Sequence, residues 1–448
     1  MMLNKLLRSL SPLLLAATVA SQVITVGPAG SGAMFEGIHE GIAAAPPGGT
    51  VLITPGSYGH AGGLYINKPL TVLGGGSTYT AHSAGAANPN PIPLTITNLP
   101  AGQHVTVVGL TLQGYSPTLP ATGAAVRIAN CTGTISLREV QAFSNLLTSA
   151  SLVIRDAASV TLEGCWFAAG GGPTGRPMRG MQVERSFVSV TDSTIQGGTG
   201  SGTSSVVSDA SGIMAIDSEV RVARSTVTGG DGTPFPTLPY ILWFTILDGS
   251  PAIKAQNSFV HLRGGTGNAL QGGDGGIEIG TSPHTLGSGA SGVQVDATSL
   301  VSTTPDANIG AGIDYNGNET ATAVGGTGPH AALAHALPSI VTVDTSTAPG
   351  NSATWELEGE PLAVCLTLFD VVPSVPFELP SIFGRFQIGF SPAVSLPVAV
   401  LDAGGAGTVS VALPPNPLLA GATAHVQTVS FAPSGWIAVS APTLLAVR

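Results

Sequence analysis

The chain has 448 residues, of which only 9% are charged, and it contains 61 glycines and 34 prolines. A formal net charge of −10 with 15 lysines and arginines excludes a surface built to neutralise nucleic-acid phosphates, because such a surface needs clustered cations. A hydrophobic content of 43% argues against disorder. The length of 448 residues leaves room for two or three domains.

The first twenty residues predict an export signal. Lys5 and Arg8 supply positive charge, residues 13–17 are apolar, and Thr18-Val19-Ala20 has the small side chains of a cleavage site. The apolar run is too short to span a bilayer, and no later run is long enough. We therefore predict an exported protein at the cell surface, outside the cell or in the periplasm.

Residues 23–74 combine a short strand, a helical segment and glycine-bounded strands. Phe35, Ile38 and Ile42 have helical spacing, and a Pro-Pro-Gly-Gly turn follows. Next come a Pro-Gly-Ser-Tyr turn and the run Ile-Asn-Lys-Pro-Leu-Thr-Val-Leu-Gly. This order resembles the opening of pectin methylesterases and of many pectin-lyase-like proteins. The resemblance implies a right-handed parallel β-helix whose open end is capped by this segment.

Residues 124–303 form a repeat with two strand-like segments in each unit. The second segments begin at positions 135, 160, 188, 220, 260 and 300, so the units are 25 to 40 residues long. Repeats of this length indicate a solenoid, and the apolar period of two makes its elements strands. We predict an all-β fold with a right-handed parallel β-helix over residues 21–303. Residues 304–337 are predicted to be degenerate coils and a linker.

The last segment, residues 338–448, differs in composition from the repeat. Seven or eight short strand-like runs occur within about 110 residues, which is typical of a β-sandwich. No motif there carries chemistry. We predict a C-terminal sandwich that anchors or docks the protein.

Three cysteines, Cys131, Cys165 and Cys365, cannot all pair. Cys131 falls in a turn and Cys165 in a second strand, so the two occupy different places in the repeat unit. We predict that all three are free and buried.

A polar residue closes the first strand of each unit. These residues are Asn130, Asp156, Glu184, Asp217, Asn257 and Asp296. Stacked carboxylates could bind Ca²⁺, but Asn and Asp also suit tight turns and hydrogen-bond to them. We favour the turn interpretation and predict no metal or other cofactor.

A second row of charged residues lies near the end of the second strands. Arg138, Glu163, Asp192 and Arg224 could supply an acid, a base and cations to a polysaccharide, because adjacent coils are only ~4.8 Å apart. The alternative, which we favour, is a solvated face on which opposite charges pair across strands.

Long loops leave each unit at one edge. One carries Arg176 and Arg179, and another carries Tyr240 and Trp243 in a chain with 5% aromatic residues. Flat rings beside cations predict a site for an acidic sugar. Equally, the aromatic loop could fold back over the coils.

The catalytic motifs of the resembling enzyme families are absent. The chain lacks the Gly-x-Val-Asp-Phe-Ile-Phe-Gly motif of pectin methylesterases and the Trp-Val-Asp-His motif of pectate lyases. We therefore predict a protein that binds a polysaccharide or another cell-surface component. The alternatives are a polysaccharide lyase or glycoside hydrolase with a site on the loop edge, and a structural stalk or adhesin.

Overall fold

The computed structural model describes most of residues 22–447. The described stretches are 22–82, 93–115, 124–144, 150–170, 178–198, 210–231, 248–263, 269–274, 288–304, 307–314, 318–319, 321–333, 338–343, 347–371, 373–382, 385–388, 394–395, 397–440 and 442–447. Within them, no helix has the length and apolar character needed to cross a membrane. The predicted export signal lies outside these stretches.

The first 25 strands are joined by one continuous network of parallel strand pairing, which winds into a solenoid. In chain order they are β1 (Val23–Val26), β2 (Gly49–Ile53), β3 (Ser57–Ala61), β4 (Leu64–Ile66), β5 (Leu70–His82), β6 (Leu94–Thr97), β7 (His104–Tyr115), β8 (Val126–Arg138), β9 (Gln141–Ser144), β10 (Ala150–Glu163), β11 (Trp166–Ala169), β12 (Arg179–Glu184), β13 (Phe187–Thr191), β14 (Thr194–Gln196), β15 (Ile213–Ile216), β16 (Glu219–Ala223), β17 (Thr226–Thr228), β18 (Ile253–Gln256), β19 (Phe259–Arg263), β20 (Ala269–Gln271), β21 (Val293–Val295), β22 (Leu300–Thr303), β23 (Ile309–Gly310), β24 (Val324–Gly326) and β25 (His330–Ala332). The predicted parallel β-helix is confirmed.

Each coil contributes one strand to each of three parallel sheets. The first sheet contains β4, β6, the start of β8 and of β10, β12, β15, β18, β21 and β24. The second contains β1, β2, the start of β5 and of β7, the end of β8 and of β10, β13, β16, β19, β22 and β25. The third contains β3, the end of β5 and of β7, β9, β11, β14, β17, β20 and β23.

Stacked aliphatic side chains fill the solenoid. In the second sheet, Val160 pairs with Ile135 on one side and Val188 on the other, and all three are at most 1% exposed. The same register continues through Val220 and Val260. This row stabilises the fold because no single coil could bury its apolar face alone. The predicted register holds up to the last repeat predicted from the sequence, where Val301 rather than Leu300 pairs with Val260.

The three strands of a coil meet at three corners. Two of these corners are tight turns that contain a residue in the left-handed backbone region. At the first corner, between the first and second sheets, Asn98, Asn130, Asp156, Arg185, Asp217 and Asn257 have φ values between 46° and 56°. At the second corner, between the second and third sheets, Glu139, Gly164, Asp192 and Arg224 have φ values between 49° and 60°. Asn and Asp are common here because their short polar side chains tolerate this conformation.

The third corner, between the third and first sheets, is closed by glycines. Backbone hydrogen bonds join Gly230 N to Ala210 O, Ser250 N to Gly230 O and Gly273 N to Ser250 O, at 2.8–2.9 Å. A Cβ on Gly273 would stand only 2.1 Å from the carbonyl oxygen of Gly230, so no larger residue fits. The long loops predicted from the sequence start and end at this corner.

A short helix, α1 (Ile38–Ala44), lies between β1 and β2. Its buried residues are Ile38, Gly41 and Ile42, and Glu40 accepts a hydrogen bond from Gly37 N at 3.3 Å. The predicted role of this segment as a cap remains a prediction, as does the pectin-lyase-like assignment.

The region predicted to be degenerate coils contains ordered strands. β23, β24 and β25 pair in parallel with β20, β21 and β22, one strand in each sheet. Residues 304–333 therefore include one more coil of the solenoid.

The C-terminal segment consists of antiparallel strands. They are β26 (Ser339–Thr342), β27 (Ser352–Glu358), β28 (Val364–Asp370), β29 (Pro373–Phe377), β30 (Phe386–Ile388), β31 (Val394–Ser395), β32 (Ala399–Val400), β33 (Ala406–Ala412), β34 (Thr423–Phe431), β35 (Ile437–Val439) and β36 (Thr443–Ala446). The sheet β26–β27–β33 packs on the sheet formed by β28, β31, β32, β34, β35 and β36, around Trp355, Cys365 and Leu445. This arrangement matches the predicted sandwich.

Candidate binding face

The C-terminal strands dock on the outer face of the second sheet. An apolar contact joins Leu73 and Val108 of the solenoid to Leu444 and Ala446 of β36. At one end of the interface, Gly421 O accepts a hydrogen bond from Thr50 Oγ1 at 3.5 Å. The second sheet is therefore covered over several coils.

Two of the predicted catalytic residues lie beneath this cover. Their side chains are only 3% exposed in Arg138 and 5% in Glu163. Glu163 accepts a hydrogen bond from Leu444 N at 2.9 Å and another from the Thr443 hydroxyl. Arg138 donates to Leu444 O. The two side chains thus bind the backbone of β36 and leave no space for a sugar chain.

The other two predicted catalytic residues, Asp192 and Arg224, lie at the second corner. Arg224 Nε donates to Asp192 Oδ1 at 2.9 Å, and Arg224 Nη1 lies 3.0 Å from Glu358 Oε1 of β27. Burial raises the pKa of Asp192, and the nearby Arg224 partly offsets that increase. This corner is a second ionic contact between the solenoid and the sandwich.

A third ionic cluster surrounds Phe187. The guanidinium carbons of Arg221 and Arg385 each lie 5.2 Å from the ring centroid. Both arginines also pair with Glu219. Arg221 Nη2 lies 2.6 Å from Glu219 Oε1, and Arg385 Nη2 lies 2.7 Å from Glu219 Oε2. Nearby, Arg263 donates to Pro338 O at 3.1 Å, and burial lowers the pKa of Arg263 to about 9.

The expectation of a solvated charged face is therefore wrong. Opposite charges do occur on neighbouring coils, but the C-terminal strands cover them and supply partners. Sequence reasoning could not find these partners because Glu163 and Thr443 are separated by 280 residues.

The polar residues at the first corner are turn residues. Asp156 pairs with Arg185 of the next coil, with Arg185 Nε and Asp156 Oδ1 2.7 Å apart, and this hydrogen bond lowers the pKa of Asp156. Asn257 Nδ2 donates to Asp217 Oδ1 at 2.6 Å. In one coil the left-handed position is taken by Arg185 and not by Glu184, so the predicted row is shifted there by one residue.

Ladders of hydrogen-bonded serines follow the turns at the first and second corners, and they were not predicted from the sequence. The backbone N–H groups of Ser186, Ser218 and Ser258 each donate to the hydroxyl of the serine one coil further on, at 3.0–3.2 Å. Each hydroxyl in turn donates to the carbonyl two residues before it, at 2.6–2.7 Å. The signal was a serine directly after the polar turn residue.

Two of the three cysteines, Cys131 and Cys165, occupy positions in these ladders. Cys131 Sγ donates to Ala129 O at 3.2 Å, and Cys165 N donates to Ser193 Oγ at 3.0 Å. Cys165 lies beyond the end of β10 and so in the second corner, not in a strand as expected. All three cysteines are free and buried, as predicted.

The outer face of the first sheet is charged. Arg155 pairs with Glu184 across coils, with Arg155 Nε 3.0 Å from Glu184 Oε2. Arg179, one of the predicted binding residues, begins β12 at the edge of this face, where its Nη1 donates to Gln182 Oε1 at 3.1 Å. The other three, Arg176, Tyr240 and Trp243, lie outside the described residues.

The outer face of the third sheet has a different character. Trp166 is 41% exposed, and its ring meets that of Phe143 edge to face, with centroids 4.9 Å apart and an interplanar angle of 80°. Trp166 pairs with Gln141 on one side and Thr194 on the other. Exposed amides, hydroxyls and one aromatic pair thus share a face that no described C-terminal contact covers.

Metal ligands do not converge in the described part of the chain, where no group of three or more His, Cys, Asp or Glu residues could hold an ion.

No protein-family model matches the chain, and no curated protein compared with it matches. Among solved structures, one similar chain is the enzymatically active domain of tailspike protein 2 of bacteriophage CBA120, with a TM-score of 0.32 and 10% identity over 86% of this chain and 69% of that one. Another is full-length tailspike protein 2 from an Escherichia coli O157:H7 bacteriophage, with a TM-score of 0.35 and 9% identity over 86% of this chain and 62% of that one.

Proposed function

We propose that this protein is exported and binds a polysaccharide or another cell-surface component through the outer face of the third sheet. The observation that supports this most directly is the exposed Trp166 ring, held edge to face by Phe143 among exposed amides and hydroxyls. The face of an aromatic ring packs on the C–H groups of a sugar ring, while amides and hydroxyls exchange hydrogen bonds with sugar hydroxyls.

The third corner adds to this proposal. The loops that carry Arg176, Tyr240 and Trp243 connect the third sheet to the first, and Arg179 follows one of them. We propose that the two aromatic residues, Tyr240 and Trp243, form the rim of the binding face. Trp243→Ala is then expected to weaken glycan binding several-fold without a large loss of thermal stability, measured by binding titration and a melting curve. A severe loss of stability instead would make Trp243 a core residue.

Arg138, Glu163, Asp192 and Arg224 are not included in this proposal. Substrate could reach Glu163 only after β36 had left the second sheet. A lyase or hydrolase at this row would therefore need the sandwich to undock first.

A glycan-binding panel with purified protein tests the proposal. Trp166→Ala is expected to weaken binding several-fold, because the stacking ring is lost. Tyr65→Ala is the matched control, since Tyr65 is 53% exposed on the first sheet and its loss should leave binding unchanged. Binding that is equal in both variants and the parent protein would contradict the assignment of this face.

A further inference from the structure

We infer that the third sheet binds an uncharged polysaccharide in an extended conformation, with the sugar chain along the solenoid axis and about one sugar residue per coil. This inference rests on the proposed glycan-binding function and adds the charge class and the direction of the ligand. It also departs from the sequence-based expectation of an acidic sugar.

The described outward side chains of the third sheet are uncharged from β7 to β20. Six coils of the third sheet, from β7 to β20, each present two described side chains outward, in an alternation with buried apolar residues. These are Thr111, Gln113, Gln141, Phe143, Trp166, Ala168, Thr194, Gln196, Thr226, Thr228, Ala269 and Gln271. Neither a cation nor a carboxylate occurs among these twelve. A chain of uronates would find no counter-charge on this face.

The flank of the face adds a second argument against an acidic ligand. At the third corner, Asp274 N donates to Asp231 Oδ1 at 3.0 Å, and Ile313 N donates to Asp274 Oδ1 at 2.9 Å. These carboxylates lie at the open edge of the third sheet, and a polyanion would be repelled by them. On the opposite flank, the carboxylate of Asp192 is already paired with Arg224.

The distance between neighbouring coils is close to the length of one sugar residue. The parallel register places the outward side chains in two straight rows, one of which runs from Thr111 through Gln141, Trp166, Thr194 and Thr226 to Ala269. Neighbours in a row are one strand spacing, ~4.8 Å, apart, so the six coils extend over about 24 Å. A sugar residue in an extended β-linked chain has a length similar to this spacing. Every one of these coils except that of β11, which presents Trp166 and Ala168, can therefore offer an amide or hydroxyl to a sugar.

Trp166 provides a fixed point in this row. Its ring is held by Phe143, one coil earlier, and by the flanking strands, so little side-chain entropy is lost when a sugar stacks on it. With three coils on one side and two on the other, affinity should rise as sugars are added in both directions.

Isothermal titration with β-1,4-linked glucose oligosaccharides of two to six residues, together with soluble neutral glucans, mannans and xylans, tests the inference. Polyglucuronate made by oxidising cellulose at C6 is the matched acidic probe, since its backbone is the same. We expect at least one neutral glycan to bind, affinity to increase with length up to about six residues, and the oxidised form to bind at least ten-fold more weakly.

Charge variants sharpen the test. Thr226→Arg places a cation in the row and is expected to raise the relative affinity for the oxidised probe, whereas Gln294→Arg, on the exposed first sheet, should not. Tighter binding of the oxidised probe by the parent protein, or affinity that stops rising at two sugars, would overturn this inference and leave glycan binding standing. Failure of every glycan in the panel to bind would overturn the proposed function itself.

Discussion

The second and third sheets share one backbone plan and carry opposite outer surfaces. In the second, buried arginines and carboxylates such as Arg138 and Glu163 contact the C-terminal strands. In the third, exposed amides surround Trp166 and no described charge is present. In a chain with 9% charged residues, clustered charge would ordinarily suggest an active site. Here it marks an internal interface, and the uncharged face is the one left open.

Removing a buried carboxylate from the second sheet should have the largest effect. Glu163→Ala would leave Leu444 N without its acceptor and would remove one of the two carboxylates beside the buried Arg138. We expect a loss of about 3–5 kcal/mol in the free energy of unfolding, measured by urea denaturation. Gln141→Ala, on the exposed third sheet, is the comparison and should change stability by less than about 0.5 kcal/mol. Equal effects of the two variants would refute the distinction between the faces.

The second-largest effect is expected from acid, which should destabilise the contact between the second sheet and the sandwich. His425 is 3% exposed, faces His104 of the solenoid and pairs across strands with Asp370 and Leu444. Burial, with a smaller contribution from His104, lowers the pKa of His425 from 6.5 to about 3. Between these values the unfolded chain binds a proton that the folded chain does not. Stability from neutral His425 is thus complete above pH 6.5 and is lost as the pH falls towards 3.

At pH 4.5 the loss attributable to His425 should be about 2–3 kcal/mol, measured by urea denaturation against pH 7. The raised pKa of Asp192 acts in the opposite direction, so variants are needed to isolate the histidine. His261, whose pKa is lowered by burial to about 3, and His104, whose pKa is also lowered by burial, act in the same direction as His425. His425→Gln should therefore reduce the dependence between pH 7 and 4.5 without abolishing it, whereas Gln141→Ala should leave it unchanged. A parent protein equally stable at both pH values would contradict the buried neutral state.

The strand order could be predicted from the sequence, whereas the site could not. Inward residues such as Val160 and Val188 repeat as aliphatic side chains, because each must fill the space above the coil below. Outward residues obey no such constraint, so Thr161 beneath the sandwich and Thr194 on the open face are the same residue type with different surroundings. The extents predicted for the export signal, the solenoid and the sandwich remain predictions.

The turn column at the first corner borders the second sheet outside the sandwich contact and should respond more weakly. Ser218→Ala removes the acceptor of Ser186 N and the donor to Ile216 O, which should cost about 1–2 kcal/mol of unfolding free energy. Asp156→Asn retains an oxygen acceptor in an exposed pair and should cost less than about 1 kcal/mol. Melting curves check both values, and a chelator should leave the melting temperature unchanged. A large drop on chelation would replace the turn interpretation with a metal site.

Cleaving the chain between the solenoid and the sandwich tests their interface without changing any residue in it. Limited proteolysis is expected to cut between about Ser302 and Leu337, where small residues make few apolar contacts. The two fragments should still co-elute on gel filtration, since Arg224–Glu358 and Arg385–Glu219 contacts join them. Fragments that separate at low ionic strength would show that the docked arrangement needs the connecting chain.

The most direct test of the account is hydroxyl-radical footprinting of the parent protein, with and without a bound polysaccharide. We expect the polysaccharide to protect Phe143 and Trp166 from oxidation. Leu444 and the second-sheet residue Phe187 should react slowly in both states, since both are buried. Unchanged oxidation of Trp166, together with new reactivity at Leu444 and Phe187, would contradict it, because the ligand would then be entering the second sheet by displacing the sandwich.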